Sequence, residues 1–237
     1  MLIHVVNPNS TAAMTDQIRR AAEAAARPGT RLRVGDPGTT PPSIEGYHDE
    51  ALAVPAMLEA IRQAEAAGAD AHVIACFDDP GLAAAREVAR GPVLGICEAG
   101  VRVATTIAAR FAVVTTLPRA VPIIEDLVDH YGAARACRGV RAVDLPVLAL
   151  EADPAEARRR LAAAIVAARA DGAEAVLLGC AGMSEMCAEL SAETGLPVID
   201  GVDAAVRLAE ALAGHYATSK IGAYAAPRDK TRLEPGS

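Results

Sequence analysis

The chain has 237 residues, of which 52% are hydrophobic and 22% are charged, a composition typical of a globular protein and not of a disordered one. A net charge of -7 and an aromatic content of 3% argue against binding to nucleic acid or to an anionic membrane. The chain opens with MLIHVVNPNS, which predicts a strand and not a signal peptide. The sequence contains no stretch of 18 or more apolar residues free of charge or turn signals, so it predicts no membrane span. Five cysteines at low density do not fit a disulfide framework, so we expect a reducing, cytoplasmic location.

Short apolar runs alternate with longer, Ala-rich segments of helical period along the whole chain. Strands are predicted at 2–6, 31–34, 71–75, 92–95, 111–115, 140–143, 175–178 and 197–199. Helices are predicted at 11–26, 50–67, 81–89, 99–110, 120–131, 154–171, 184–194 and 203–216. Ser10 is expected to cap the first helix, and Asp153 to cap the helix that begins at Pro154. Because the strands are nearly continuous apolar runs between helices, we predict an α/β fold with parallel sheets.

The chain contains an internal repeat. The segment from Gly68 to Cys76 matches the segment from Gly172 to Cys180 at an offset of 104 positions, without a gap. Pro92-Val93 matches Pro197-Val198 in the same order. The repeat predicts two pseudo-symmetric, Rossmann-like domains with an active-site cleft between them. We expect the helix after each fourth strand to cross to the other half, so that the first domain comprises 1–98 plus 205–237 and the second 99–204.

Cys76 and Cys180 occupy equivalent positions of this repeat, each directly after an apolar strand. A lone cysteine is usually a small buried hydrophobe, but two at equivalent positions would face each other across the cleft. A turn and a helix follow each cysteine, and backbone N–H groups at such a junction are expected to lower the thiol pKa. Two opposed thiols predict inversion of a stereocentre: one thiolate removes a proton from carbon and the other thiol returns a proton to the opposite face. Such a reaction needs no cofactor and no metal.

Small and polar residues near the two cysteines are candidates for holding the substrate. Asn9, Ser10, Thr115 and Thr116 follow strands at the same cleft rim and suit either substrate binding or turn formation and helix capping. Gly179, Ala181 and Gly182 would let backbone N–H groups approach an enolate. Phe77 and Tyr47 are candidate pocket walls. Asp78 and Asp79 are expected in turn and helix-start roles, with Asp78 also a candidate for substrate binding.

The remaining candidates for chemistry receive a structural interpretation. Cys97, Cys137 and Cys187 lie outside the repeated position, and no cysteine–histidine set has zinc spacing. His4 and His72 lie within predicted strands and are interpreted as core or face residues.

The motifs NPNST near the start, ACFDDPGL around Cys76 and LLGCAGM around Cys180 resemble the Asp/Glu/hydantoin racemase superfamily, and within it the hydantoin and allantoin racemase branch. The resemblance runs from Leu2 to about Tyr224. It implies two pseudo-symmetric α/β domains, racemisation by two cysteines, no cofactor and a homo-oligomer. Cys76 and Cys180 match the positions of the catalytic cysteines.

Two departures from the amino-acid racemase branches bear on the substrate. In those branches the first loop resembles Asp-Ser-Gly and the second resembles Gly-Cys-Thr-His. This chain instead has Asn7-Pro8-Asn9-Ser10 in the first loop and Ala181-Gly182 after Cys180 in the second. A site without an assisting acid and histidine suits the more acidic C5 proton of a hydantoin ring. Open alternatives are an amino-acid or dicarboxylate racemase or isomerase of the same superfamily, and a non-catalytic protein that binds a small ligand.

Overall fold

The computed structural model describes residues 1–228 and 230. Eight strands alternate with nine helices within these residues, and three 3₁₀ segments lie at 118–120, 181–186 and 222–224. The strands are β1 (Leu2–Val6), β2 (Arg31–Gly35), β3 (Ala71–Ile74), β4 (Val93–Gly95), β5 (Phe111–Thr115), β6 (Cys137–Ala142), β7 (Ala175–Leu178) and β8 (Val198–Ile199). The helices are α1 (Ala12–Ala25), α2 (Tyr47–Ala66), α3 (Leu82–Val88), α4 (Ile96–Ile107), α5 (Val121–His130), α6 (Ala149–Ala152), α7 (Pro154–Ala170), α8 (Cys187–Thr194) and α9 (Gly201–Leu212).

The strands form two parallel sheets of the same topology. Strand order is β2-β1-β3-β4 in one sheet and β6-β5-β7-β8 in the other, and every pairing is parallel. Each half is therefore a copy of the same βα arrangement. This confirms the α/β fold with two pseudo-symmetric halves that the repeat predicts.

Two helices cross between the halves. Helix α4 follows β4 of the first sheet but packs on β7 of the second, and α9 follows β8 but packs on β1, β3 and β4. Gly100 of α4 lies so close to the Leu177 side chain that a Cβ there would collide with it. The absence of a side chain at Gly100 therefore favours the close packing of α4 on β7.

A shared hydrophobic core joins the two sheets. It includes Ile3 and Val73 from the first sheet, Phe111 and Leu177 from the second, and the buried faces of α1, α4 and α9. Phe111 is fully buried, and burial of one such side chain contributes about 2–3 kcal/mol to stability. Separate smaller clusters lie under α7 and α8, and under α2 and α3. The carboxyl ends of both sheets are thereby held in a fixed relation to each other.

The predicted helix starts are partly correct. Asp153 caps α7 by accepting a hydrogen bond from the Glu156 N–H at 3.1 Å, directly before Pro154. The prediction that Ser10 caps α1 is wrong, because Thr11 is the N-cap residue and the Ser10 hydroxyl donates to the Thr40 carbonyl at 2.7 Å. The 184–194 helix is also shorter than predicted, since a 3₁₀ segment takes its first turn and α8 begins at Cys187.

Candidate active site

Cys76 and Cys180 follow β3 and β7, and each lies two residues past the end of its strand. Both cysteines line one partly enclosed cavity, which takes residues from both halves of the chain. Since β3 and β7 are the equivalent third strands of the two sheets, the two cysteines occupy positions around this cavity that the pseudo-symmetry relates. Burial and the Asp78 carboxylate raise the Cys76 pKa most, and the neighbouring Cys180 adds a smaller contribution in the same direction.

Most of the predicted site residues line this cavity with the cysteines. They are Asn9, Phe77, Asp78, Thr115, Thr116, Gly179 and Ala181. Ser10 does not line it, since its hydroxyl is turned to the Thr40 carbonyl. Gly182 also lies outside the lining, but a Cβ there would be 3.7 Å from the Cys180 sulfur. Tyr47 is 64% exposed at the start of α2 and forms no part of the wall.

Asn9 fixes a turn and also lines the cavity. Its Oδ1 accepts hydrogen bonds from the Thr11 N–H and from Asn7 Nδ2, both at 3.0 Å, which fixes the turn between β1 and α1. Its Nδ2 lies 3.0 Å from the Met14 sulfur, and Met14 also lines the cavity. The turn therefore holds the Asn9 amide group at the cavity wall.

Gly179 allows the second sheet to close tightly beside Cys180. A Cβ on Gly179 would lie 2.8 Å from the Thr115 Cβ, which is too close for any other residue. The Thr115 hydroxyl donates to the Gly179 carbonyl at 3.1 Å, and the Gly179 N–H donates to the Val114 carbonyl at 2.8 Å. The Gly179 N–H thus belongs to the ladder between β5 and β7.

Two loops that no sequence motif marks also line the cavity, one from each half of the chain. Ile44 and Glu45 come from the loop after β2, and Val147 from the loop after β6. The Glu45 Oε1 accepts a hydrogen bond from the Val147 N–H at 3.2 Å, which links the two loops. Both loops leave the carboxyl ends of parallel strands, where ligands bind, and that position was the available signal.

The Cys76 thiol has a raised pKa, contrary to the prediction of a lowered one. Burial is the main cause, and the Asp78 carboxylate adds to it, while the Asp78 backbone N–H next to the sulfur acts in the opposite direction. The dipole of α3 does not lower the Cys76 pKa, because α3 begins only at Leu82, after an intervening turn. Desolvation disfavours the thiolate more than one N–H group favours it.

Asp78 is itself unusual for a carboxyl group in the cavity wall. Burial and the neighbouring Glu50 carboxylate raise its pKa to about 6. The group is therefore mostly ionised at neutral pH but titrates within reach of physiological conditions.

The other cysteines and the buried histidines lie away from the cavity. Cys97, Cys137 and Cys187 are absent from its lining. His4 and His72 are buried on β1 and β3, as predicted, with their Nδ1 atoms 3.2 Å apart. His72 Nε2 lies 2.9 Å from Glu65 Oε1. In the part of the chain that the structure describes, no group of three or more His, Cys, Asp or Glu side chains could hold a metal ion.

Within residues 1–228 and 230, no helix combines the length and the apolar character needed to cross a bilayer.

Comparison with known proteins gives a consistent result across sequence and structure. A family model described as Asp/Glu/hydantoin racemase matches residues 3–209. A hydantoin racemase from Rhizobium meliloti is 62% identical over 232 residues, which cover 97% of this chain and 96% of that protein.

Two solved structures match nearly the whole fold. An allantoin racemase from Klebsiella pneumoniae superposes with a TM-score of 0.95 at 47% identity, covering 99% of this chain and 96% of that one. An allantoin racemase from Pseudomonas fluorescens superposes with a TM-score of 0.94 at 38% identity, covering 99% of this chain and 100% of that one.

Proposed function

This chain belongs to the Asp/Glu/hydantoin racemase family, and from that premise we propose that it is an isomerase that inverts C5 of 5-substituted hydantoins, allantoin included. The observation that carries the proposal is the placement of Cys76 and Cys180 at equivalent strand ends in one cavity. The relatives named hydantoin racemase and allantoin racemase supply the substrate class.

The proposed mechanism uses the two cysteines as a proton-transfer pair. One thiolate removes the C5 proton, so that the C5–H bond breaks, an S–H bond forms and the electron pair enters the ring as an enolate. The opposite thiol then gives its proton to the other face of C5, and its sulfur becomes the thiolate. Charge and protons balance over the step without a cofactor. The exchanged protonation state acts on the opposite enantiomer, and proton exchange between the thiols and water restores the starting state.

The electrostatics of Cys76 support its use as a proton donor. Its raised pKa keeps the proton on sulfur at neutral pH, as a donor requires. The Asp78 N–H at the sulfur stabilises the thiolate that remains after donation. The backbone around Ala181, which directly follows Cys180 and lines the cavity, is proposed to face the enolate oxygen.

The charge of the cavity favours a neutral ring over a dicarboxylate. Among the described residues that line it there is no Lys or Arg, while Glu45 and Asp78 are both acidic. A dicarboxylate substrate would meet repulsion there and no cationic partner. The lining therefore weighs against the amino-acid or dicarboxylate racemase alternative.

The domain division belongs to the same proposal. The first domain comprises 1–98 plus 205–237, of which 229 and 231–237 lie outside the described residues, and the second comprises 99–204. The packing of α9 on β1 and β3, and of α4 on β7, supports a discontinuous first domain.

We propose further that the protein works as a homo-oligomer in the cytoplasm. No disulfide links any of the five cysteines, and a reducing compartment would keep Cys76 and Cys180 as the thiols that the mechanism requires. Tyr47 and Leu52 of α2 and Val166 of α7 are apolar and more than half exposed, and a second copy would cover them. Light scattering of the purified protein gives the mass: a single-chain mass of 24.3 kDa would refute the oligomer.

Polarimetry in deuterated buffer tests the function. Each enantiomer of allantoin and of 5-substituted hydantoins with apolar arms should lose optical activity while deuterium enters C5. Binding of these compounds without loss of rotation or exchange would favour the non-catalytic alternative. Racemisation of amino acids in their place would favour the other enzyme class.

A further inference from the structure

Asp79 lies three residues after Cys76, and its carboxylate joins the two halves of the molecule. Oδ1 accepts a hydrogen bond from the Cys97 N–H at 3.0 Å, and Oδ2 accepts one from the Glu98 N–H at 2.8 Å, both in the first turn of α4. The Tyr131 hydroxyl, from the end of α5 in the second half, donates to Oδ2 at 2.6 Å. The residue is only 5% exposed, so these three donors serve a buried group.

The backbone of Asp79 closes the turn that carries Cys76. Its N–H donates to the Cys76 carbonyl at 3.1 Å, which makes residues 76–79 one hydrogen-bonded turn. Its φ of 46° is in the left-handed region, which residues with a side chain rarely adopt unless their surroundings hold them there. The same turn presents the Asp78 N–H to the Cys76 sulfur.

Gly95 leaves room for this arrangement. A Cβ on Gly95 would collide with the Asp79 carboxyl group. The carboxylate therefore fills the space in front of α4 that a side chain at the N-cap position would otherwise occupy.

We propose that Asp79 is a positioning residue for Cys76: its carboxylate, held by the first turn of α4 and by Tyr131, fixes the turn that aims the Cys76 sulfur at C5. This inference rests on the proposed two-thiol function. Asp79 does not touch the substrate, since it is absent from the cavity lining.

The second half has a different link at the corresponding place, and it provides a matched control. Ser184, four residues after Cys180, donates to Asp200 Oδ1 at 2.7 Å. Asp200 in turn caps α9 through the Val202 N–H at 2.9 Å. Each cysteine loop is thus bound to the N-terminus of the crossing helix of its own half, by Asp79 in one case and by Ser184 in the other.

The test measures hydrogen–deuterium exchange at C5 of each enantiomer in single-thiol backgrounds. In Cys180→Ser only Cys76 can exchange the C5 proton, and in Cys76→Ser only Cys180 can. Asp79→Asn, which leaves one acceptor oxygen for three donors, should slow exchange in the Cys180→Ser background by about tenfold, the factor expected for one lost hydrogen bond to a charged group. In the Cys76→Ser background it should change exchange less than about twofold. Ser184→Ala should slow C5 exchange more in the Cys76→Ser background, where Cys180 acts, than in the Cys180→Ser background.

Tyr131→Phe keeps the two backbone donors to Asp79. It should slow C5 exchange less than Asp79→Asn does, and again more in the Cys180→Ser background than in the Cys76→Ser background. It also serves if Asp79→Asn does not fold, which its melting temperature reveals. Equal slowing in both backgrounds by both Asp79→Asn and Tyr131→Phe would overturn the inference and leave Asp79 a general stabilising residue. If neither parent single-thiol variant exchanges either enantiomer, the proposed two-thiol function fails, and the inference fails with it.

Discussion

Glu45 and Val147 come from opposite halves of the molecule and meet over the cavity, where the Glu45 carboxylate accepts the Val147 N–H at 3.2 Å. Both residues line the cavity, and each belongs to the loop that follows the second strand of its sheet in chain order. One hydrogen bond thus links the two walls of the site beside the two thiols.

Replacement of Glu45 by Ala should therefore weaken substrate binding more than chemistry. Loss of one hydrogen bond is expected to raise KM about fivefold, with kcat within about twofold of wild type. Glu45→Gln retains an acceptor oxygen and is the matched control, with KM near the wild-type value. Steady-state kinetics by polarimetry measure both parameters. An unchanged KM in Glu45→Ala would contradict a role for this link in holding the substrate.

Gly179→Ala should damage the site through the backbone. The new methyl group would lie 2.8 Å from the Thr115 Cβ and force β5 and β7 apart next to Cys180. Overpacking of this kind costs about 1–3 kcal/mol of stability, and we expect kcat to fall as Cys180 moves. Gly35→Ala is the control, because no atom lies within 4 Å of its added Cβ. Urea unfolding and kcat are measured on both, and an active, stable Gly179→Ala protein would refute the prediction.

The buried histidines should make folding sensitive to acid. Burial, the Coulombic effect of His72 and that of Arg33 lower the His4 pKa to about 3, from an unfolded value near 6.5. The unfolded chain therefore binds a proton that the folded chain refuses, so this contribution to stability is complete above about pH 6.5 and declines as the pH falls toward 3. At pH 5 the free energy of unfolding should be about 2 kcal/mol lower than at pH 7 from His4 alone.

His4→Gln keeps a donor for His72 and removes the titration, so it should show a smaller difference between pH 7 and pH 5 than wild type. Chemical unfolding at the two pH values measures it. An identical pH dependence in His4→Gln and wild type would contradict the assignment to His4.

Tyr131→Phe should change the pH dependence of catalysis. Burial raises the Asp79 pKa to about 7, and the Tyr131 hydroxyl opposes that shift by donating to the carboxylate. Removal of the hydroxyl raises the Asp79 pKa further, so Asp79 loses its charge at higher pH and the turn at Cys76 loosens earlier on acidification. The ratio of kcat at pH 8 to kcat at pH 6 should therefore be larger in Tyr131→Phe than in wild type. An equal ratio in the two proteins would show that the protonation of Asp79 does not affect kcat.

Much of the fold could be predicted because it is encoded locally and repeated. The apolar runs gave the strands to within a few residues, and the cap at Asp153 and Pro154 is a local signal. The match between the segments ending at Cys76 and Cys180 predicts the pseudo-symmetry, and the equivalent strand order of the two sheets agrees with it. The halves share a cavity because equivalent strand ends face each other.

The rest depends on contacts between segments far apart in sequence. Ile44 and Val147 line the cavity only because two irregular loops fold back over it, and no local pattern specifies that path. Asp79 was predicted as a turn residue, and nothing near it in sequence shows that its carboxylate reaches α4 and Tyr131. The direction of the Cys76 pKa shift was missed because burial, a tertiary property, exceeds the local effect of backbone N–H groups.

The measurement that tests the central claim most directly is deuterium entry at C5 of separate L and D enantiomers of one 5-substituted hydantoin, with Cys76→Ser and Cys180→Ser. Serine is too weak an acid to replace the thiol in either step, so each variant should lose racemisation. Each should still exchange the C5 proton of one enantiomer, and the two variants should act on opposite enantiomers. Racemisation of both enantiomers at the wild-type rate by either variant would contradict the two-thiol mechanism.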